Sequence, residues 1–438
     1  MKLSLILSLL FSISAMAGGP KFDNTKLFIK VKAGANVPQS QLILSTKHLF
    51  GDHYLVETTD AKSLAEDLKS NLNILRTEKN YYAGAQELPK LETAKSNTAL
   101  FNFGAFNDPK VGNVWSFNDA AKNGVSVNKS YLSPLGVQKE AVIVAVVDTG
   151  VDYNHEDLKN IMWKNVNEIA DNGIDDDGNG YVDDIFGIDT LTRDSQGNAT
   201  GDPMASHAHG THVSGTIAAE QNNLIGMAGI ADKAKIMAIR TVPDNADETD
   251  ADVVESFLYA AKNGAKLINC SFGKSHNEGG MIVNDTIDHI GKNYGVLVFA
   301  AAGNDYGRNI DTNRAFPASF ESDYLLVVAS TTKNGGLSWF SNIGPKSVDV
   351  AAPGSDVYST MPGNGYGNMS GTSMATPTTV GVAAEVLSHF PELEPLQLKK
   401  ALMEGVTPVK AFSGKMVSGG RVDLFNSLQF ILNNYNTL

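Results

Sequence analysis

A chain of 438 residues, 42% of them hydrophobic and 41 of them glycine, has material for one large glycine-punctuated α/β domain and a small second one. Its formal charge of −13 argues against nucleic acid or an anionic membrane as a partner. The single cysteine, Cys270, excludes an internal disulfide, so stability has to come from core burial and bound metal ions.

Residues 1–17 combine Lys2, an apolar run over 3–13 and the small residues Ala15 and Ala17, the pattern of a secretory signal peptide. A membrane anchor is the alternative, but the run is too short to span and no cysteine follows to carry a lipid. A secreted product is expected, extracellular or periplasmic, with no membrane anchor. Residues 18–83 predict a small α+β domain, with strands over 27–31 and 53–57 and an amphipathic helix over 62–72 leading to Ile74 and Leu75. Residues 84–106, with Gly84, Pro89 and a polar stretch over 93–98, suit an exposed linker carrying a processing site.

From residue 107 to 438 the pattern changes. Apolar runs over 142–147, 236–239, 267–270, 296–300 and 325–329 alternate with helical stretches over 209–220, 251–263, 282–294 and 376–390, and 396–403 and 422–432 close the chain. This predicts an α/β fold, a doubly wound and mostly parallel sheet with helices on both faces. Functional residues belong at the carboxyl ends of such strands, where Asp148, Ser271 and Asn304 fall.

Three stretches carry chemistry. The run from Val142 ends in Asp148, Thr149 and Gly150; His209, Gly210, Thr211 and His212 open a helix; Gly371, Thr372, Ser373, Met374, Ala375, Thr376 and Pro377 open another. A serine at a helix N-terminus has the dipole and the close backbone approach that an oxyanion needs, although the heptapeptide alone also reads as a helix cap. Asp148, His209 and Ser373 stand in one of the chain orders in which a catalytic triad is built. Asp152, past the strand end, and His212, a turn deeper in its helix, are decoys, and His207 reads as a solvated loop residue. With Ala300, Ala301, Ala302, Gly303 and Asn304 added, the motifs resemble the subtilisin-like serine proteases, the subtilases, over roughly residues 105–435.

The resemblance implies a serine endopeptidase that hydrolyses peptide bonds through an acyl-enzyme. Ser373 would be the nucleophile, His209 the general base and acid, Asp148 its orienting carboxylate and Asn304 an oxyanion donor. Ser271, Phe272 and Gly273 would form one wall of the specificity pocket, Ala302 and Gly303 the other and Ala315 its base, favouring apolar side chains. Asp305 at the rim could draw in lysine. Where many relatives carry a glycine-rich edge, residues 244–252 are acidic, which selects basic substrates or is simply a solvated loop. The resemblance also makes 18–83 a propeptide that assists folding and acts as an intramolecular inhibitor of a self-processed zymogen. Partners are then protein or peptide substrates and the chain's own propeptide, with the protein a monomer. The rivals are a catalytically inactive binding or inhibitory protein on the same fold, and a serine esterase, whose Gly-x-Ser-x-Gly elbow is absent around Ser373.

A metal is the remaining expectation. Residues 175–184 present oxygen side chains at alternate positions with turn glycines, as a calcium loop does, so Asp175, Asp177, Asn179 and Asp183 are candidate ligands, with Asp184 in reserve. Phe186 stands where an EF-hand would have its glutamate, and an acidic solvated turn is the alternative. Asp157, with Asn222 and Asn223, matches a calcium site of the family more loosely.

Overall fold

A computed structural model describes residues 21–82, 105–133, 135–205, 207–244, 248–274 and 280–434. The expected signal peptide and all but Ala105 and Phe106 of the expected linker lie outside the described residues.

The N-terminal unit is built from β1 (Phe22–Val31), β2 (Ile43–Phe50), β3 (His53–Thr58), α1 (Ala61–Leu68) and β4 (Ile74–Tyr81). The strands pair antiparallel in the order β2-β3-β1-β4. Alternation in β1 sends Leu27, Ile29 and Val31 to a small core with Leu64 and Leu68 of α1, and Phe28 to the opposite face. Asp60 caps the helix, its carboxylate accepting the N–H groups of Lys62 and Ser63. The sequence pattern misses β2, and of β4 sees only the first two residues. Ser45, Thr46, Lys47 and His48, and Arg76, Glu78 and Lys79, lack the apolar alternation that marks a strand.

The large unit follows with α2 (Val127–Leu132), β5 (Val142–Asp148), β6 (Gly187–Arg193), β7 (Ala199–Thr200), α3 (Ala208–Ala218), β8 (Ala234–Arg240), α4 (Asp250–Lys262), β9 (Leu267–Cys270), α5 (Ile282–Tyr294), β10 (Leu297–Ala301) and β11 (Leu325–Thr331). It ends with β12 (Val350–Pro353), the hairpin β13 (Val357–Met361) and β14 (Gly365–Met369), α6 (Thr372–His389), α7 (Pro395–Glu404), β15 (Thr407–Pro408), β16 (Gly420–Arg421) and α8 (Leu424–Asn434). The large sheet runs β15-β16-β12-β11-β10-β9-β5-β8-β6-β7, parallel throughout except at its two outermost pairs. Within β5, Val144 and Val146 enter the core shared with α3 and α6, while Ala145 and Val147 enter the core shared with α4 and α5. That split is the physical meaning of a doubly wound sheet, and it explains why β5 reads as an unbroken apolar run. The short or polar strands β6, β7, β12, β15 and β16 and the β13–β14 hairpin carry no such run and escape the sequence pattern.

The N-terminal sheet packs on the α4–α5 face. Phe28 and Phe50 join the core of that face, and Phe50 stacks on His289 of α5 at 4.5 Å. Both helix starts are satisfied from across the boundary. Glu78 accepts the N–H groups of Met281 and Ile282 at the start of α5, and Asn80 Oδ1 accepts that of Ala251 in α4 at 2.9 Å. Asp285 Oδ2 receives Arg76 Nη2 at 2.6 Å, His53 Nε2 at 2.9 Å and Lys30 Nζ at 3.4 Å. Tyr82 forms an antiparallel bridge with Thr249, so the small domain ends beside the acidic segment 244–252.

Candidate active site

Asp148 ends β5 and His209 lies in the first turn of α3. The two elements meet closely because Gly210 has no side chain; a Cβ there would stand 2.1 Å from the carbonyl oxygen of Gly150. Asp148 Oδ1 lies 2.7 Å from His209 Nδ1 and also accepts the N–H of Thr149 at 2.8 Å. Both side chains are buried, and His209 Nε2 has no hydrogen-bond partner. An Nδ1–H pointed at a carboxylate leaves Nε2 as the free lone pair, the tautomer a general base requires.

Ser373 is the second residue of α6, and its backbone is buried against the end of β9. Its hydroxyl donates to the carbonyl oxygen of Ser271 at 2.9 Å, while Ser271 Oγ donates to the Ser373 carbonyl at 3.1 Å. The Ser373 hydroxyl therefore sits at the same sheet edge as the imidazole without being bonded to it. Gly354 allows α6 to start here, since a Cβ on it would be 2.6 Å from the Gly371 oxygen.

Asn304 follows β10. Its Oδ1 accepts the Thr372 N–H at 2.9 Å and the Thr372 hydroxyl at 3.0 Å, and Thr372 Oγ1 in turn accepts the Gly303 N–H at 3.1 Å. With its oxygen held by two donors, the Asn304 side chain is oriented to offer its NH2 outward. Asn342, fully buried, supports the same loop: its Nδ2 donates to the Ala302 carbonyl at 2.9 Å and its Oδ1 accepts the Asp305 N–H at 3.0 Å. Thr372 and Asn342 were not singled out from sequence. The first lies inside the serine motif, and nothing in the local pattern marks the second.

The neighbours expected to be decoys separate by position. His212 is fully buried, its Nε2–H donates to the Val357 carbonyl at 2.9 Å, and burial pushes its pKa down to about 3. Asp152 accepts from Asn154 and Gly363 N–H groups and does not reach His209. His207 differs from expectation: it is the N-cap of α3, half-buried, with Nδ1 accepting the His209 N–H at 3.2 Å. Burial lowers its pKa, and the neighbouring His209 lowers it further.

Of the expected groove residues, Ser271, Phe272 and Gly273 follow β9, and Ala302 and Gly303 follow β10, its parallel neighbour. The segment after β9 is pinned to the Ala315 loop, because Lys274 and Phe316 exchange N–H···O bonds of 2.7 Å each way and a Cβ on Gly273 would meet the Phe316 oxygen at 2.6 Å. Ala315 is buried. Beside this wall, Phe272, Gly273, Val253, Val283, Phe316 and Phe320 line a pocket that also contains a buried Lys274–Asp250 ion pair at 2.5 Å. The acidic edge is not a continuous negative wall. Asp250 pairs with Lys274, Asp252 with Arg193 at 2.6 Å, and Thr249 with Asp252 forms the capping box of α4; residues 245–247 lie outside the described residues.

Two of the candidate calcium ligands, Asp175 and Asp177, lie close to Glu168. Carboxylate oxygens of Glu168, Asp175 and Asp177 converge within 4.8 Å of one another. Such all-oxygen donors suit a hard cation. Asp183 is turned away, capping the N–H groups of Asn172 and Gly173, and Asn179 directs its NH2 at Asp177 and Asp184 while its oxygen accepts the Tyr181 N–H. Asp184 is buried, taking hydrogen bonds from Tyr259, Asn165 and Asn179, with burial pushing its pKa up to about 6. Glu168 is the residue sequence reasoning missed; it lies upstream of the loop and binds the Asp176, Asp177 and Asp183 N–H groups. Asp157 accepts Asn223 Nδ2 at 2.8 Å, the Met227 N–H at 2.9 Å and the Tyr366 hydroxyl at 3.3 Å, and burial pushes its pKa up to about 6.

A buried Asp–His pair at the carboxyl edge of a parallel sheet, with a serine at the N-terminus of a helix that packs on the histidine's helix, is the arrangement of an α/β serine hydrolase. The chain belongs to the subtilase family, whose model matches residues 139–419. Thermitase of Thermoactinomyces vulgaris is 35% identical over 287 residues, 66% of this chain and 88% of that protein. Subtilisin-like protease 1 of Plasmodium berghei is 32% identical over 68% of this chain and 51% of its own length, so the chain spans about half of that relative. Among solved structures, a protease from Pseudoalteromonas arctica superposes with a TM-score of 0.61 at 26% identity, covering 74% of this chain and 99% of the other.

Proposed function

We propose that the chain is an exported serine endopeptidase made as a zymogen, with Asp148, His209 and Ser373 as its triad. The observation that carries this reading is the buried Asp148–His209 contact of 2.7 Å with His209 Nε2 left without a hydrogen-bond partner, on a helix that packs against the one Ser373 opens. Rotation of the Ser373 side chain from the Ser271 carbonyl would bring its hydroxyl to that nitrogen. His209 takes the Oγ proton as Oγ attacks the scissile carbonyl carbon, then returns it to the leaving amine; water repeats the sequence to free the acyl group. Asp148 holds the tautomer and stabilises the imidazolium. The oriented NH2 of Asn304 and the Ser373 N–H at the helix N-terminus stabilise the oxyanion. Groove residues 271–273, 302, 303 and 315 receive the peptide.

The zymogen reading is supported by the N-terminal sheet, which covers the α4–α5 face and caps both helix starts, and by Tyr82, which delivers the chain to Thr249. Export rests on the segment 1–17; among the described residues no helix is long and apolar enough to cross a membrane. Glu168, Asp175 and Asp177 would hold a calcium ion, whose charge would offset their mutual repulsion and fix the loop.

A fluorophosphonate probe applied to the purified protein should label Ser373 alone, and N-terminal sequencing of the processed form should place the cut within or near 84–106. Ser373→Ala should remove labelling, peptide hydrolysis and processing together. Peptide hydrolysis retained in that variant would overturn the reading, and ester hydrolysis without peptide hydrolysis in the native protein would favour an esterase.

A further inference from the structure

Two exposed aromatic rings stand beside the candidate oxyanion site. Tyr306 is 77% exposed and Trp339 72%, and they are the only aromatic residues among the large exposed hydrophobics of the described residues. Their ring centroids lie 5.3 Å apart with the planes at 41°, so they form one apolar surface. Leaving a tryptophan and a tyrosine in water is unfavourable, and the fold spends structure on keeping them together. The Tyr306 N–H donates to the Phe340 carbonyl at 3.0 Å, and Tyr306 adopts a left-handed φ of 60°, a conformation that non-glycine residues rarely take. Trp339 packs edge-on against Phe340 at 5.7 Å.

The pair is tied to the site by short covalent and hydrogen-bonded paths. Tyr306 follows Asn304 by two residues, which limits their Cα separation to about 7.6 Å. On the Trp339 side, Asn342 donates its N–H to the Gly303 carbonyl at 2.9 Å and its Nδ2 to the Ala302 carbonyl at 2.9 Å, locking the two loops together. Asp305, between Asn304 and Tyr306, stays about half exposed, while its Oδ2 accepts Asn342 Nδ2 at 2.8 Å and lies 3.9 Å from Arg308. Beside that half-exposed carboxylate, the two rings add an apolar, planar surface to the rim. An extended peptide advances about 3.3–3.6 Å per residue, so residues next to the cleaved bond come within reach of the rings.

We infer that Tyr306 and Trp339 form a specificity subsite that takes an aromatic or large aliphatic side chain flanking the scissile bond. The inference rests on the proposed peptidase activity and adds a substrate preference to it. Peptides bearing Phe, Leu, Arg or Gly at each of the two positions on either side of the cut test it, with kcat and KM measured for the native protein and for Trp339→Ala, Tyr306→Ala and Trp339→Phe. At one flanking position the native enzyme should prefer Phe and Leu to Gly. Trp339→Ala and Tyr306→Ala should each lower kcat/KM for the Phe peptide about fivefold more than for the Gly peptide, the size expected of one aromatic contact, with Trp339→Phe recovering most of the loss. Melting temperatures should stay unchanged, since the rings are exposed. Equal losses on Phe and Gly peptides, a preference for Arg that the alanine variants abolish, or a Phe preference that survives both alanine variants would each overturn the inference. Absence of hydrolysis of every peptide by the native protein would instead defeat the peptidase reading on which it stands.

Discussion

Asn304 and Thr372 are 68 residues apart in the chain, yet Asn304 Oδ1 accepts both the N–H and the hydroxyl of Thr372, at 2.9 and 3.0 Å. The residue before the candidate nucleophile thus sets the orientation of the candidate oxyanion donor. One side chain couples the helix start to the loop after β10, because Thr372 Oγ1 also accepts the Gly303 N–H.

The coupling gives a graded prediction. Asn304→Leu should lower kcat by about 10²–10³ with little change in KM, as loss of a donor used only in the transition state does. Thr372→Val leaves the Gly303 N–H without its acceptor and frees half of the Asn304 anchor, so about a tenfold loss is expected. Thr372→Ser should restore most of it. Steady-state kinetics on one peptide separate the three variants.

Calcium removal should lower the unfolding temperature, because Glu168, Asp175 and Asp177 converge within 4.8 Å and repel one another without a cation. Asp177→Ala and Glu168→Gln should each abolish most of the response to chelator in a calorimetric scan. Asp183→Ala should keep the response, since its carboxylate caps Asn172 and Gly173 instead.

Docking of the small domain should weaken in acid. Burial would raise the Asp285 pKa, but hydrogen bonds from His53 and Arg76 and the charges of Arg76 and Lys30 outweigh it and hold this carboxyl well below its usual 3.8. A group with a depressed pKa contributes stability that is complete above the usual value and is lost as the pH falls below it. Glu78 acts oppositely, since burial raises its pKa from the usual 4.5, so its ionised form is a cost that protonation removes. In the unprocessed Ser373→Ala chain, the undocking transition should therefore move to lower temperature from about pH 4 downward. Asp285→Asn should show it already at neutral pH, with no further fall in acid; a native-like transition in that variant would remove Asp285 from the account.

Gly210→Ala should disable the site through the backbone. The added Cβ would lie 2.1 Å from the Gly150 oxygen and 3.1 Å from Asp148 Oδ1, with neither free to move without displacing the end of β5. A stability loss of about 1–3 kcal/mol in denaturant melts is expected, together with loss of fluorophosphonate labelling.

How much of this was legible depends on how local each signal is. The runs that became β5, β8, β9, β10 and β11 are buried on both faces and read as unbroken apolar segments, and α5 matches its expected limits of 282–294. Strands such as β6, with Asp189, Thr190, Thr192 and Arg193, or β2 at the edge of the small sheet, take their partners from tertiary context and show no such pattern. The acidic segment 244–252 illustrates a related point: charge is visible in sequence, but the pairing of Asp250 with Lys274 and of Asp252 with Arg193 is not.

The amino-acid sequence by itself determined the layered α/β architecture of the large domain, the order in which Asp148, His209 and Ser373 occur, and their places at strand ends and helix starts, because periodicity and turn chemistry act over a few residues. The tertiary structure alone decided that the Ser373 hydroxyl rests on the Ser271 carbonyl, that a Glu168 carboxylate oxygen converges with those of Asp175 and Asp177, and that Asp285 gathers Lys30, His53 and Arg76 of the small domain. Each of these relations depends on the rotamer of one side chain and on the packing of segments remote from it in the chain, and neither is encoded in any window of neighbouring residues.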